Sequence, residues 1–331
     1  NKNIVYLNRQ IIMAIKILAN DGISDSGKEA LEKEGFDVST TKVAQNQLID
    51  YINKHAIDVL LVRSATQVRK DIIDGCPSLK LIGRGGVGMD NIDVDYAQSK
   101  NLHVINTPAS SANSVAELVF AHLFTGVRFL HDANRNMPLE GDTQFNELKK
   151  NYTNGAELRG KTIGIIGFGR SGQAVARISI GLGMNVLAYD PKVKEAVVTL
   201  DFFNGQTLPF TIKTVEKERL LMESDFITLN NSPAQGGYVL DTPEFNLMKE
   251  GVGVINLARG GALNEVALIE ALEHGKVAFA GLDVFENEPN PAIQVLMHPQ
   301  ISLTPHIGAS TNEAQNRIGF ELASQIATLL K

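Results

Sequence analysis

KTIGIIGFGRSGQAVARI, residues 161–178, reads as a strand, a tight glycine turn and a helix that opens on it. Such turns receive the pyrophosphate of a dinucleotide. This one begins only at Lys161 of 331 residues, so a domain's length of sequence precedes it. A lone G-x-G-x-x-G is weak, and with 29 glycines the chain holds two: Gly83-Arg-Gly85-Gly-Val-Gly88 and Gly167-Phe-Gly169-Arg-Ser-Gly172. The full fingerprint asks for a helix opening on the last glycine and an acid ending the next strand, about 20 residues on. After Gly88 comes MDNIDVDYA, a poor helix start, and the next strand, LHVIN, ends in Asn106. After Gly172 comes QAVARISIGLG, a good helix, and NVLAYD ends in Asp190. Only the second match fits. In it Gly167 allows the turn, Gly169 lets the backbone approach phosphates, and Gly172 permits close packing of helix on strand. The helix N-terminus then offers free N–H groups and a positive dipole end. Asp190 is placed to accept hydrogen bonds from ribose hydroxyls and to repel a 2′-phosphate, which favours NAD over NADP. Lys192 weakens that preference slightly.

Working outward, IKILAN (15–20), FDVST, DVLLVRS (58–64), LKLIGRGGVG and HVINTP are short apolar runs that alternate with helical periods. A second series follows: TIGIIG, NVLAYD, DFITLN, VGVINLA, AFAGLDVF and ISLTPH. Runs of this length separated by helices indicate parallel sheets covered on both faces. The fold class is therefore α/β, with two doubly wound units. Between them NSVAELVFAHLFTGVRFLHDANRNMP predicts one long helix over 114–137, capped by Asn113 or Ser114 and ended by Pro138. Its apolar character over more than six turns points to a contact between two copies in a homodimer. The final helix, NEAQNRIGFELASQIATLL, follows the second series. The pattern alone does not decide whether it returns to the first unit.

Composition narrows the function. The chain is 44% hydrophobic and 21% charged, with a formal charge of -6. That charge argues against nucleic-acid and anionic-membrane partners, which select basic surfaces. No run reaches the ~20 apolar residues of a membrane span. The first twelve residues, NKNIVYLNRQII, lack the uninterrupted apolar region and small-residue cleavage site of a signal peptide and read as an extension, with Met13 opening the first strand. Cys76 is the one cysteine, so no internal disulfide forms, in keeping with a reducing, cytoplasmic setting. Beside Pro77 it reads as a buried small residue rather than a nucleophile.

GRGGVGMDNID, INTP, GIIGFGRSGQ with AYD, VINLARGG, GLDVFENEP and TPHIGAST occur in that order. Together they are similar to the motifs of the D-isomer-specific 2-hydroxyacid dehydrogenases, from about residue 15 to the end, and within that family the chain looks most like the phosphoglycerate dehydrogenases. The resemblance implies a Rossmann nucleotide-binding domain (109–305) inserted into a flavodoxin-like substrate domain (13–108 and 306–331). The late position of the fingerprint follows from that insertion. It also implies contacts to NAD from Val87, Gly167, Gly169, Arg170, Ser171, Gly172, Asp190, Leu257, Ala258, Asp283, Gly308 and Ala309. No metal is expected.

The chemistry can be argued beside the resemblance. Oxidising a 2-hydroxy acid needs a hydride acceptor, a base for the hydroxyl proton and a cation for the carboxylate. His306 in LTPHIGAS stands at a strand end, where sites of open α/β sheets form, and histidine suits a base that must also act as an acid. Arg259, after the strand VINLA and before two glycines, can bind a carboxylate with two parallel hydrogen bonds. Glu288 would hold the imidazole. Glu286 is its rival on the residues alone, and the family spacing favours Glu288. Asp283 resembles the family's residue near the nicotinamide ring; as an alternative it caps a turn. Arg84 to Asp90 lines the active site in this family, with N–H groups around Gly86 and Val87 binding the substrate carboxylate as an anion nest. Asp90 and Asp93 read as turn or cap residues. There are departures. Asn230-Asn231-Ser232-Pro233 stands where the family has histidine or threonine with proline, and Asn264 where it commonly has aspartate.

For the substrate, the resemblance points to oxidation of 3-phospho-D-glycerate to 3-phosphohydroxypyruvate, the first step of serine biosynthesis. Arg63 in LLVRSAT, Arg84 and a partner subunit's Arg135 would bind the phosphate; ordinary surface arginines are the bland alternative. A glyoxylate or hydroxypyruvate reductase, a D-lactate dehydrogenase and an NAD-sensing corepressor are the competing functions. A chain ending about 25 residues after His306 is expected to be a short form without a serine-sensing C-terminal domain.

Overall fold

The computed structural model describes residues 14–231 and 237–331. The N-terminal extension with Met13, and Ser232 and Pro233, lie outside the described residues. The chain divides into two compact units, one running to Ser110 and including Asn312–Lys331, the other Ser111–Thr311.

In the first unit β1 (Lys16–Ala19), β2 (Asp37–Ser39), β3 (Val59–Val62), β4 (Leu81–Arg84) and β5 (His103–Asn106) form a parallel sheet in the order β2-β1-β3-β4-β5. This is the flavodoxin-like order. Every residue of β3 is buried, as expected of a strand covered on both faces. One face packs on Leu48, Ile52, Ile72 and Ala97. The other packs on Leu31 of the helix Asp25–Lys33 and on Ile318, Leu322 and Ile326 of the C-terminal helix Asn312–Leu330. These two helices meet at Gly27 and Gly319, where a Cβ on either would lie 2.6 Å from the other's Cα. The final helix thus belongs to the first unit, and a Rossmann unit is inserted into a flavodoxin-like one.

The second unit contains β6 (Thr162–Ile166), β7 (Asn185–Tyr189), β8 (Glu195–Asp201), β9 (Thr207–Lys213), β10 (Phe226–Leu229), β11 (Val252–Asn256), β12 (Val277–Leu282) and β13 (Ile301–Leu303). Six strands form a parallel sheet ordered β13-β12-β11-β10-β6-β7. The order reverses between β6 and β10, so the ligand crevice of such a sheet falls beyond the ends of these two strands. The pair β8–β9 is a separate antiparallel hairpin that the sequence reading passed over. Its signal was present: Asn204-Gly205 between two alternating runs is a strong hairpin turn.

The single long helix is a correction. Ala112–Val127 and Leu130–Glu140 are two helices, broken at Phe129, which takes a left-handed conformation with φ 55°. Pro138 is carried inside the second helix, and the chain leaves it at Glu140. The first helix starts from Ser111 without a side-chain cap, and Ser114 Oγ instead donates to the Gly308 carbonyl at 2.6 Å. Its apolar residues Ala116, Val119, Phe120, Leu123 and Val127 are buried in the unit's own core, so they offer nothing to a second copy. Cys76 is buried, and desolvation, with Asp71 nearby, pushes its thiol up to about 11, which leaves it unreactive.

Candidate active site

The turn after β6 is shaped for a ligand. Gly167 has φ 95°, and a Cβ there would run into the backbone of Asn230 and Asn231. A Cβ on Gly172 would strike the Gly167 carbonyl oxygen. At Gly169 the position of a Cβ has nothing within 4 Å, and this residue starts the helix Arg170–Gly181, whose first N–H groups have no intrahelical acceptor. Arg170 and Ser171 form that first turn. Asp190, just beyond β7, accepts from the N–H of Phe168 (2.8 Å), Lys192 (2.8 Å) and Val193 (3.0 Å). Burial pushes its pKa up, but these N–H groups and the Lys192 charge outweigh it, so the carboxyl stays below its ordinary value. Two carboxylate oxygens offer about four acceptor sites, so room remains for a ribose hydroxyl. An open helix end, an anion-accepting turn and a fixed acid fit a dinucleotide.

Beyond β11, Asn256 ties the next turn by accepting from Ala258 N–H (3.0 Å) and donating to the Arg259 carbonyl (2.9 Å). Leu257 and Ala258 are buried there, and Arg259 Nη1 donates to the Ala258 carbonyl at 2.7 Å. A side chain at Gly260 would collide with the backbone of Phe285, so this turn sits against the segment that leads to Glu288. Beyond β12, Glu288 Oε1 accepts from Phe285 N–H (3.0 Å) and Oε2 lies 2.8 Å from His306 Nδ1. Glu286 is engaged elsewhere: it and Glu265 each accept the other's backbone N–H. Burial and Glu286 together raise the Glu265 pKa, while the Glu286 N–H works against them. Asp283 is 1% exposed. Its carboxylate takes the N–H of Ile307 and Gly308, both at 2.8 Å, and its carbonyl takes that of His306. These bonds hold 306–308 on the second unit, and the crossing back to the first comes at Asn312 rather than at His306. Ala309 follows in the same loop.

The model of the D-isomer specific 2-hydroxyacid dehydrogenase NAD binding domain matches residues 120–308. The chain belongs to the D-isomer-specific 2-hydroxyacid dehydrogenases. A hydroxypyruvate reductase from Thermotoga maritima is 39% identical over 94% of this chain and 97% of its own length. A D-3-phosphoglycerate dehydrogenase from Archaeoglobus fulgidus is 37% identical over 96% of this chain, which spans 58% of that relative. Among solved structures, a D-isomer-specific 2-hydroxyacid dehydrogenase from Polaromonas sp. JS6 66 superposes with TM-score 0.78 at 27% identity, covering 96% of both chains. The chain is an NAD-dependent D-2-hydroxyacid dehydrogenase.

On the first unit of this dehydrogenase, Arg63 follows β3. Its backbone N–H bonds to Asp21 (2.7 Å), and its half-buried guanidinium has no partner among the described residues. Arg84 ends β4, with Nε 3.4 Å from Asn91 Oδ1. Gly86 is buried, its carbonyl accepting from Thr107, and Val87 is exposed. Arg135 is exposed. Asp93 pairs with Arg69 at 3.0 Å and does not cap the helix it precedes. Asn264 caps the helix Glu265–Glu273 by accepting from Val266 and Ala267, a task asparagine performs as well as aspartate. The sequence reading missed Asn256 and Thr304, polar groups that shape the turns bearing Arg259 and His306. Their signal was a polar residue at a strand end.

Proposed function

We propose that this dehydrogenase oxidises 3-phospho-D-glycerate to 3-phosphohydroxypyruvate. The observation that carries the catalytic assignment is the 2.8 Å pair of His306 Nδ1 and Glu288 Oε2, on the unit that also carries Arg259. A carboxylate only accepts, so Nδ1 bears the proton and Nε2 is left to take the substrate's hydroxyl proton. Glu288 then stabilises the imidazolium. Arg259 orients the carboxylate with a two-pronged hydrogen bond and draws electron density from the developing carbonyl. NAD, when bound along Gly167–Gly172 and Asp190, supplies the hydride acceptor.

The phosphate assignment rests on Arg63, whose guanidinium has no partner among the described residues, with Arg84 as a second cation. Such a pair would leave the 2-hydroxy acid end of the substrate to Arg259, because the N–H of Gly86, expected to bind that carboxylate, is bonded to the Arg84 carbonyl at 2.9 Å. Reduction of phosphohydroxypyruvate, hydroxypyruvate and glyoxylate with NADH tests the assignment. Arg63→Ala should lower kcat/KM for phosphohydroxypyruvate about ten- to hundredfold, the value of one charge-assisted contact, and leave glyoxylate nearly unchanged. Equal losses on both, or a parent that prefers glyoxylate, favour the second reading, a hydroxypyruvate or glyoxylate reductase, which the Thermotoga maritima relative supports.

The chain is further proposed to act as a cytoplasmic homodimer. With Ala116, Val119, Phe120, Leu123 and Val127 of the helix Ala112–Val127 buried, the support shifts to the exposed Phe124, Leu130, Met137, Leu139 and Phe145. A cleft of about 480 Å³ is lined by Phe129 and His131, which flank Leu130, and by Phe226 and Phe279. Light scattering at micromolar concentration should return twice the 35.9 kDa of one chain, and a monomer would remove the proposal.

A further inference from the structure

Behind the loop that carries His306 runs a line of buried polar groups that the reaction above does not use. We propose that His122 is a positioning residue: acting through Thr304 and Asp283, it fixes the loop 304–308 and with it the imidazole of His306. This rests on His306 as the proton-transfer group.

His122 comes from the helix Ala112–Val127 and is 2% exposed. Its Nδ1 lies 2.9 Å from Ser302 Oγ and its Nε2 3.1 Å from Thr304 Oγ1. Thr304 Oγ1 in turn lies 2.6 Å from Asp283 Oδ1. The direction of every bond follows from the last one. A carboxylate only accepts, so the threonine proton goes to Asp283 and the threonine oxygen must accept from His122. Nε2 therefore carries the imidazole proton, and in the neutral ring Nδ1 accepts from Ser302. Burial lowers the His122 pKa to about 4; Asp283 pulls it up and His131 pushes it down, both by less. The ring is thus neutral at neutral pH and held in one tautomer.

The far end of the line holds the reactive loop. Asp283 binds the successive N–H groups of His306, Ile307 and Gly308, each at 2.8 Å. His306 has φ 54°, a left-handed conformation that residues other than glycine keep only when their surroundings enforce it. The sheet makes room for the relay, since a Cβ on Gly281 would lie 2.6 Å from His122 Cβ. An aliphatic residue at 122 would leave Ser302 without its acceptor and Thr304 without its donor, in a region where unmade hydrogen bonds are costly. Asp283 would then be free to turn, and the loop with it.

The test uses the full chain, NADH with hydroxypyruvate and glyoxylate, and ¹⁵N-histidine NMR. His122→Leu should lower kcat about tenfold with the KM for NADH within about twofold, as a misplaced reacting group does. The acid limb of its pH–rate profile should move. His122→Gln, which can still donate to Thr304, should recover most of the loss. Thr304→Val should match His122→Leu, and the double variant should be no worse than either. A folded His122→Leu with the parent's kcat and pH profile would overturn the proposal, as would losses that add. If His122→Leu does not fold, the near-isosteric Thr304→Val decides, and full activity there overturns it. His306→Ala is the separate control, expected to lower turnover about 10²–10⁴-fold. If it stays active, the catalytic reading of His306 fails. The relay is still judged by NMR: His122 should show an Nε2–H ring, and the His306 titration should shift in His122→Leu. A His306 titration unmoved by that change overturns the relay.

Discussion

The turn after β6 and the turn after β4 carry the same glycine spacing and use it for opposite ends. After β4, Gly83 lies within the strand, where a Cβ would sit 2.6 Å from Leu61 Cδ2. A Cβ on Gly86 would run into the Arg84 guanidinium, and Gly85 and Gly86 bond back to Val62 and Arg84. These glycines make space for the chain's own side chains, and the next helix waits until Val94. After β6, Gly167 and Gly172 make space for backbone, Gly169 borders open space, and a twelve-residue helix starts at once. The pattern states only that side chains are unwelcome. What would occupy the vacated volume decides whether a ligand is involved.

The largest expected effect falls on the second turn. Gly172→Val forces the helix off the Gly167 carbonyl, and overpacking a fixed backbone costs ~3 kcal/mol. NADH affinity, measured by calorimetry, should fall roughly a hundredfold, while the first unit's hydrogen-exchange protection stays as in the parent. Next comes Asp190→Ala, which removes the acceptor for the ribose and the repulsion of a 2′-phosphate. The ratio of kcat/KM for NAD over NADP should narrow by about tenfold, and a parent that used both cofactors equally would defeat this account. The smallest effect belongs to Gly85→Ala, whose Cβ would lie 3.2 Å from Ile318 Cγ2 and needs only a slight shift of that side chain. Stability should change by less than about 1 kcal/mol and NADH affinity not at all. Were Gly85→Ala to weaken NADH as much as Gly172→Val, the distinction between the two turns would collapse.

The same contrast separates what was legible in the sequence from what was not. Both sheets were readable, because a strand buried on both faces is an unbroken apolar run and each was followed by a helical period. Asp190 and His306 were readable as polar residues at strand ends. The helix break was not: Phe129 takes its left-handed turn with no glycine or asparagine to announce it, and Pro138 sits too near the end of its helix to stop it sooner. The hairpin β8–β9 was announced by Asn204-Gly205 and overlooked. Glu286 and Glu288 were rivals on the residues alone, and only the family spacing favoured Glu288, which bonds to the His306 ring while Glu286 takes the Glu265 N–H. The line from Ser302 through His122 joins residues 180 positions apart, and a lone histidine on an apolar helix gives no hint of its partner.

The C-terminal helix carries one more consequence, for the order in which the protein is made. The ribosome releases β1 to β5 first, yet the face of that sheet which needs Ile318, Leu322 and Ile326 stays bare until Asn312–Leu330 emerges. The second unit is continuous in the chain and needs nothing from that helix to complete its own sheet. The sheet synthesised first is therefore covered only once that helix is released, and until then its bare apolar face is prone to aggregation.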